Sequence, residues 1–179
     1  MDYIDGTFRL SSFPNSNLIR YNYNQGILIQ EGSYARIYAN KLDANIKANI
    51  AVGGERSGKT KIKYNIIENS KSEGIFAVES EETLLIEDNM INNNFFGLVL
   101  IDAKGIIKNN QILDNYTCGI LTEKNTTALI QNNVVANNMT TGIIIKDPSL
   151  PDLRSNHVHG NNMFQLQMEA HAKSKWKEY

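Results

Sequence analysis

The chain is poor in the residues that staple or interrupt folds: 179 residues contain one cysteine, Cys118, three prolines and one tryptophan. A lone cysteine closes no internal disulfide, so the fold must rest on burial and hydrogen bonding, and a reducing compartment is the expectation. Charge of one sign is missing too. A formal net charge of -1 and a pI of 6.3 provide no global pull toward nucleic acid or an anionic membrane surface. No apolar run approaches the ~18 residues of a spanning helix, and the opening MDYID has two acids where a secretory leader would have basic residues. These absences predict a cytoplasmic protein that binds neither nucleic acid nor membrane.

What is present is asparagine and isoleucine, 24 and 22 residues. The chain is 41% hydrophobic and 21% charged, which excludes a disordered chain. Asparagine favours turns and isoleucine favours strands, so the pair predicts short strands separated by tight corners. Three glycosylation sequons begin at Asn115, Asn125 and Asn138, as an Asn-rich chain produces by chance.

These residues are ordered in a repeat. The unit Asn-x-(Ile/Leu/Val)-x-x-(Asn/Ser) starts at Asn17, Asn40, Asn65, Asn89, Asn110, Asn133 and Asn156, at spacings of 23, 25, 24, 21, 23 and 23. After each unit comes Gly and then alternating apolar residues, as in Gly97-Leu98-x-Leu100, with Asn49 and Gln165 standing in the glycine place twice. Before each leading Asn lies a third alternating stretch, such as Thr60/Ile62 or Ala128/Ile130. A repeat of about 23 residues leaves no room for a crossover helix, so three short strands per repeat must pair with those of neighbouring coils.

The prediction is an all-β fold, a right-handed parallel β-helix of about seven coils. Residues 1–12 form a lead-in or cap, 13–169 the β-helix, and 170–179 a C-terminal cap or tail in which Trp176 could cover the rod's end. The leading asparagines are expected to take the left-handed conformation at the corners and to stack as a structural ladder.

The pattern resembles the PbH1-type repeats of the pectate-lyase-like superfamily, above all those of eukaryotic F-box β-helix and SHC-SH2-domain-binding proteins. Asn-x-Ile followed by Gly-(Ile/Val)-x-(Ile/Val) carries the likeness, together with Asp147-Pro-Ser-Leu-Pro-Asp-Leu-Arg-Ser-Asn156. The resemblance implies right-handed winding and the β-helix. Since adaptors, scaffolds and enzymes share that fold, it implies no single activity. The leading expectation is a non-catalytic rod with other proteins as partners, in a larger intracellular assembly such as an adaptor or cytoskeletal scaffold.

Two chemical readings compete with it. In the first, a polysaccharide lyase, epimerase or hydrolase would use outer-face carboxylates on a glycan. Asp102 and Glu123, on adjacent coils, could form a carboxylate pair ~5 to 6 Å apart. The second is nucleotide binding. Gly53-Gly-Glu-Arg-Ser-Gly58-Lys59-Thr60 is a literal phosphate-loop pattern, but that loop needs a helix after Thr60, whereas Lys-Ile-Lys-Tyr-Asn reads as strand in repeat register. A corner loop lengthened by about two residues explains the 25-residue spacing there. His157 and His159 flank inward Val158 and could share a metal, yet no third ligand is evident, so no metal and no cofactor are expected. Cys118 is expected to pack.

Overall fold

The computed structural model describes residues 16–30, 32–54 and 59–169. The assignments made above for 1–12 and 170–179, Trp176 included, lie outside these residues. The first coil holds β1 (Leu18–Arg20), β2 (Ile27–Ile29) and β3 (Arg36–Tyr38), and the second β4 (Lys41–Asp43), β5 (Ile50–Gly53) and β6 (Lys61–Lys63). The third holds β7 (Ile66–Glu68), β8 (Glu73–Val78) and β9 (Leu84–Glu87), and the fourth β10 (Met90–Asn92), β11 (Phe96–Ile101) and β12 (Lys104–Lys108). The fifth holds β13 (Gln111–Leu113), β14 (Cys118–Glu123) and β15 (Thr127–Gln131), and the sixth β16 (Val134–Ala136), β17 (Thr141–Ile145) and β18 (Asp152–Arg154). Two sides of a seventh, β19 (His157–His159) and β20 (Phe164–Met168), complete the described rod.

Each strand pairs in parallel with its equivalent one coil away, giving two seven-stranded sheets and one of six. The first strand of every coil forms sheet A, the second sheet B and the third sheet C. This is the right-handed parallel β-helix expected, with six complete coils.

Alternation decides which residues fill it. Ile67, Ile91, Ile112 and Val135 stack in register along sheet A and are buried, as are Ile75, Leu98 and Ile120 along sheet B. Because a strand of three residues has only one inward side chain, a single coil could never bury its own face. Stacking supplies the missing surface.

The asparagines form two ladders rather than one. In the first, Asn65, Asn89, Asn110 and Asn133 each offer Oδ1 to the backbone N–H and the Nδ2 of the asparagine one coil earlier, as Asn89 does for Asn65 at 3.0 and 2.9 Å. Each Nδ2 also donates to backbone carbonyls, Asn65 to Ile37 and Lys63 at 2.9 Å. The second ladder runs through Asn22, Asn45, Asn94, Asn115, Asn138 and Asn161. Asn115 and Asn138, two of the sequon acceptors, are fully buried members of it.

One expectation needs correction. The left-handed residue is not the ladder asparagine but the one before it: Ala39, Tyr64, Asp88, Asn109, Asn132 and Ser155 all have positive φ. That residue makes the bend, which swings the following asparagine inward where its amide can serve the corner's carbonyls. Side chains pay roughly 1 kcal/mol or more in this region, so the ladder's hydrogen bonds are what hold so many bends in place.

The glycines answer to the second ladder. A Cβ on Gly97 would lie 2.4 Å from the Gly119 carbonyl oxygen and 2.9 Å from Asn115 Nδ2. Gly74, Gly119 and Gly142 face the ladder amide of the next coil in the same way. Glycine is required here by close approach.

Candidate functional site

The corner between sheets B and C is built from variable loops. Three of its bends place Glu79, Asp102 and Lys124 at equivalent left-handed positions, with Gly54 at the equivalent place in the second coil. A groove of about 420 Å³ there is lined by Glu79, Glu81, Asp102, Lys104 and Asn125, with Ser80, Ala103 and Thr127 completing it.

The sheet register separates the two acids that the sequence suggested as a pair. Glu123 stands opposite Ile101, and only its backbone carbonyl reaches Asp102, whose N–H donates to it at 3.2 Å. The Glu123 carboxylate is instead taken by Lys146 at 2.6 Å. That hydrogen bond and its accompanying charge attraction raise the Lys146 pKa, outweighing the opposing effect of burial. Asp102 lines the groove and Glu123 does not. The column neighbours of Asp102 are Glu79 and Lys124.

At the phosphate-loop pattern, Gly58 lies outside the described residues, whereas Lys59 and Thr60 can be placed. No helix begins after Thr60, because the chain enters strand β6 directly. Thr60 is fully buried, and its hydroxyl oxygen accepts the Ala35 N–H at 3.1 Å. Facing the core, it offers nothing to a magnesium ion. The exposed Lys59 ammonium sits 3.5 Å from Glu82. The corner from β5 to β6 is the longest between these two sheets, which accounts for the 25-residue spacing.

Cys118 is buried on the outer side of sheet B with Val99 and Leu121, against Phe76, Phe96, Ile101 and Ile144. Burial pushes its thiol up to about 12, so it is inert as a nucleophile or metal ligand at neutral pH. His157 and His159 point outward from β19 with ring centroids 4.4 Å apart.

Another surface feature escaped the sequence reading. The residue after each position of the second ladder points out at the corner between sheets A and B, giving the column Tyr23, Ile46, Lys71, Phe95, Tyr116, Met139 and Asn162. Backbone bonds such as Phe95 N–H to the Ser70 carbonyl (3.1 Å) and Tyr116 N–H to the Asn94 carbonyl (2.8 Å) stack them coil upon coil. The exposures are 88% for Tyr23, 48% for Phe95, 56% for Tyr116 and 53% for Met139. Beside this ridge Asn69, Ser70, Lys71, Asn93, Phe95 and Tyr116 line a shallow depression. Its signal in the sequence was the position after the second Asn, which is irregular in chemistry but regular in place.

The molecule is thus a PbH1-type parallel β-helix repeat protein. The model of one family, described as periplasmic copper-binding protein (NosD), matches residues 14–175, and the chain belongs to that family. Two matching solved structures are mutants, T265N and T265N T268M, of a periplasmic alginate epimerase, AlgG. Each has a TM-score of 0.72 and 24% identity, over 80% of this chain and 35% of that one. The chain therefore spans about a third of their length, and the likeness shows the fold. No curated protein matches.

The family overturns the cytoplasmic location expected from the sequence, since it is described as periplasmic. The composition argument failed because one buried cysteine says little about redox compartment. Its description also names copper. Among the described residues no group of three or more His, Cys, Asp or Glu could surround an ion. With Cys118 inert, the exposed imidazoles of His157 and His159 are the nitrogen donors that fit copper chemistry.

Proposed function

We propose that this chain is a non-catalytic, extracytoplasmic β-helix rod that presents a lateral surface to partner proteins within a larger assembly. The observation that carries this reading is the corner ridge of Tyr23, Ile46, Phe95, Tyr116 and Met139. Interrupted only by Lys71 in the third coil, a line of exposed apolar and aromatic side chains of this length is uncommon on a protein that acts alone, and aromatic residues of this kind anchor protein contacts. The rigid core beneath holds the line straight, so little ordering is required on docking. The periplasmic description of the family supports the location. The likeness of the repeat to those of F-box β-helix and SHC-SH2-domain-binding proteins supports the interaction role.

A direct test replaces Phe95, Tyr116 and Met139 together with serine. Affinity purification from the native source should lose the complexes that the unaltered chain recovers, while far-UV circular dichroism stays the same. Recovery of the same complexes by the triple variant would sink the reading.

The groove at Asp102 supports a second reading, in which Glu79, Glu81 and Asp102 with Lys104 act on a glycan, as the epimerase named above does on alginate. Turnover of a polyuronide that disappears in Asp102→Ala would favour it over the first.

A further inference from the structure

We propose that Asn125 is the acceptor of an N-linked oligosaccharide, attached outside the cytoplasm by a transferase that reads Glu123-Lys124-Asn125-Thr126-Thr127. The proposal rests on the extracytoplasmic location argued above and is independent of the ridge.

The fold disqualifies the other two sequons. Asn115 and Asn138 are fully buried, and in each the amide nitrogen that would receive the sugar is committed. Asn115 Nδ2 donates to Asn138 Oδ1 at 3.0 Å and to the Ile91 carbonyl at 3.3 Å. Asn138 Nδ2 donates to Asn161 Oδ1 at 2.8 Å and to the Ile112 carbonyl at 3.4 Å. Asn125 is exposed in the bend between β14 and β15, and its side-chain amide has no hydrogen bond among the described residues.

Alternation makes the difference. The middle residue of this sequon, Thr126, is buried, and its hydroxyl donates to the Glu123 carbonyl at 2.7 Å and accepts the Ala103 N–H at 3.3 Å. With Thr126 pinned inward, Asn125 and Thr127 on either side both face water, which presents the two residues an Asn-x-Thr acceptor depends on. In the other two sequons the middle residue, Tyr116 or Met139, is outside and the acceptor inside.

A second feature selects the same asparagine. Bacterial oligosaccharyltransferases require a carboxylate two residues before the acceptor. Glu123 supplies it for Asn125, whereas Leu113 and Ala136 stand there in the other sequons. The Glu123 carboxylate is part-exposed in its pair with Lys146, and a surface ion pair is weak enough to be exchanged for a cation of the enzyme. The sugar donor is a polyprenyl-diphosphate-linked oligosaccharide. The Asn125 amide nitrogen forms a bond to the anomeric carbon, the bond from that carbon to the diphosphate oxygen breaks, polyprenyl diphosphate leaves with the electron pair, and an amide proton passes to a base of the transferase. The glycan would stand over the groove that Asn125 lines, while the ridge at the other edge of sheet B stays open to partners.

The test isolates the full chain from its native source, locates it by cell fractionation and maps glycopeptides by mass spectrometry. The peptide containing Asn125 should carry sugar mass, and those containing Asn115 and Asn138 none. Asn125→Gln and Thr127→Ala should each lose the modification, Thr127→Ser should keep it, Glu123→Gln should lose it and Glu123→Asp restore it. Unchanged circular dichroism would show that these exposed substitutions leave the fold intact, so that loss reflects recognition. An unmodified Asn125 in a chain recovered outside the cytoplasm would overturn the proposal and leave the location standing. An unmodified chain in the cytoplasmic fraction would overturn both. Full modification of Glu123→Gln would overturn the part assigned to Glu123.

Discussion

The two asparagine ladders pass through the same coils and differ in the third. The first is continuous from Asn17 to Asn156. The second meets Ser70, whose short side chain donates to the Lys47 carbonyl at 2.9 Å instead of to a ladder amide. There Asn49, which stands where the other coils have glycine, turns its amide into the gap. Its Oδ1 accepts from Asn45 Nδ2 at 2.6 Å, and its Nδ2 donates to Asn94 Oδ1 at 3.1 Å. The small Ser70 leaves room for a side chain that would otherwise collide with a ladder amide. At the last described coil Gln165 does similar work, accepting from Asn161 N–H and Nδ2 at 3.2 and 2.8 Å. The comparison shows that the fold conserves a position in space for an amide, whichever residue supplies it.

The largest effect is expected in the unbroken ladder. Asn110→Ala strips partners from Asn89 and Asn133 in a fully enclosed site, and should lower stability by about 3 to 5 kcal/mol in denaturant unfolding. Gly97→Ala should cost about 2 to 4 kcal/mol, because backbone and ladder amide stand in the way of the added methyl.

The sharpest test exchanges the two devices. Asn49→Gly and Ser70→Asn should each destabilise by about 2 kcal/mol, the first by emptying the gap and the second by crowding it. The double variant restores the pattern of the other coils and should return to within about 1 kcal/mol of the starting protein. Additive losses in that cycle would refute the exchange.

A smaller effect concerns the face of sheet C, where Glu87 bridges Lys63 and Lys108 on neighbouring coils. Burial pushes the Glu87 carboxyl up, but hydrogen bonds from Lys108 and Lys63, with their positive charge, bring it below the usual 4.5. A lowered folded pKa means that the stabilisation is complete above the unfolded value and is lost as pH falls through the folded one. Glu87→Gln should therefore cost about 1 to 2 kcal/mol at pH 7, with the difference from the unaltered protein shrinking below pH 4.5 in thermal melts.

Much of this was legible in the residues. Ile91, Ile112 and Val135 line up as the alternation requires, and the strand after Thr60 removes the phosphate-loop helix as repeat register foretold. The candidate acids were less legible. Asp102 and Glu123 are adjacent in the coil count, yet one sits in the bend and the other on the strand, a one-residue offset that only pairing fixes. The ridge was hidden because tyrosine, phenylalanine, isoleucine and methionine share a place there without sharing a motif.

The sequence by itself determined the period, the three strands per coil and the inward columns, because alternation and corner chemistry act between residues close along the chain. The tertiary structure alone decided that Asn49 fills the place left by Ser70, that Glu123 pairs with Lys146, and that the exposed side chains after the second ladder form one line. Those contacts join residues about one coil or more apart. Their partners are selected by lateral register and the space left between coils, which no local pattern encodes.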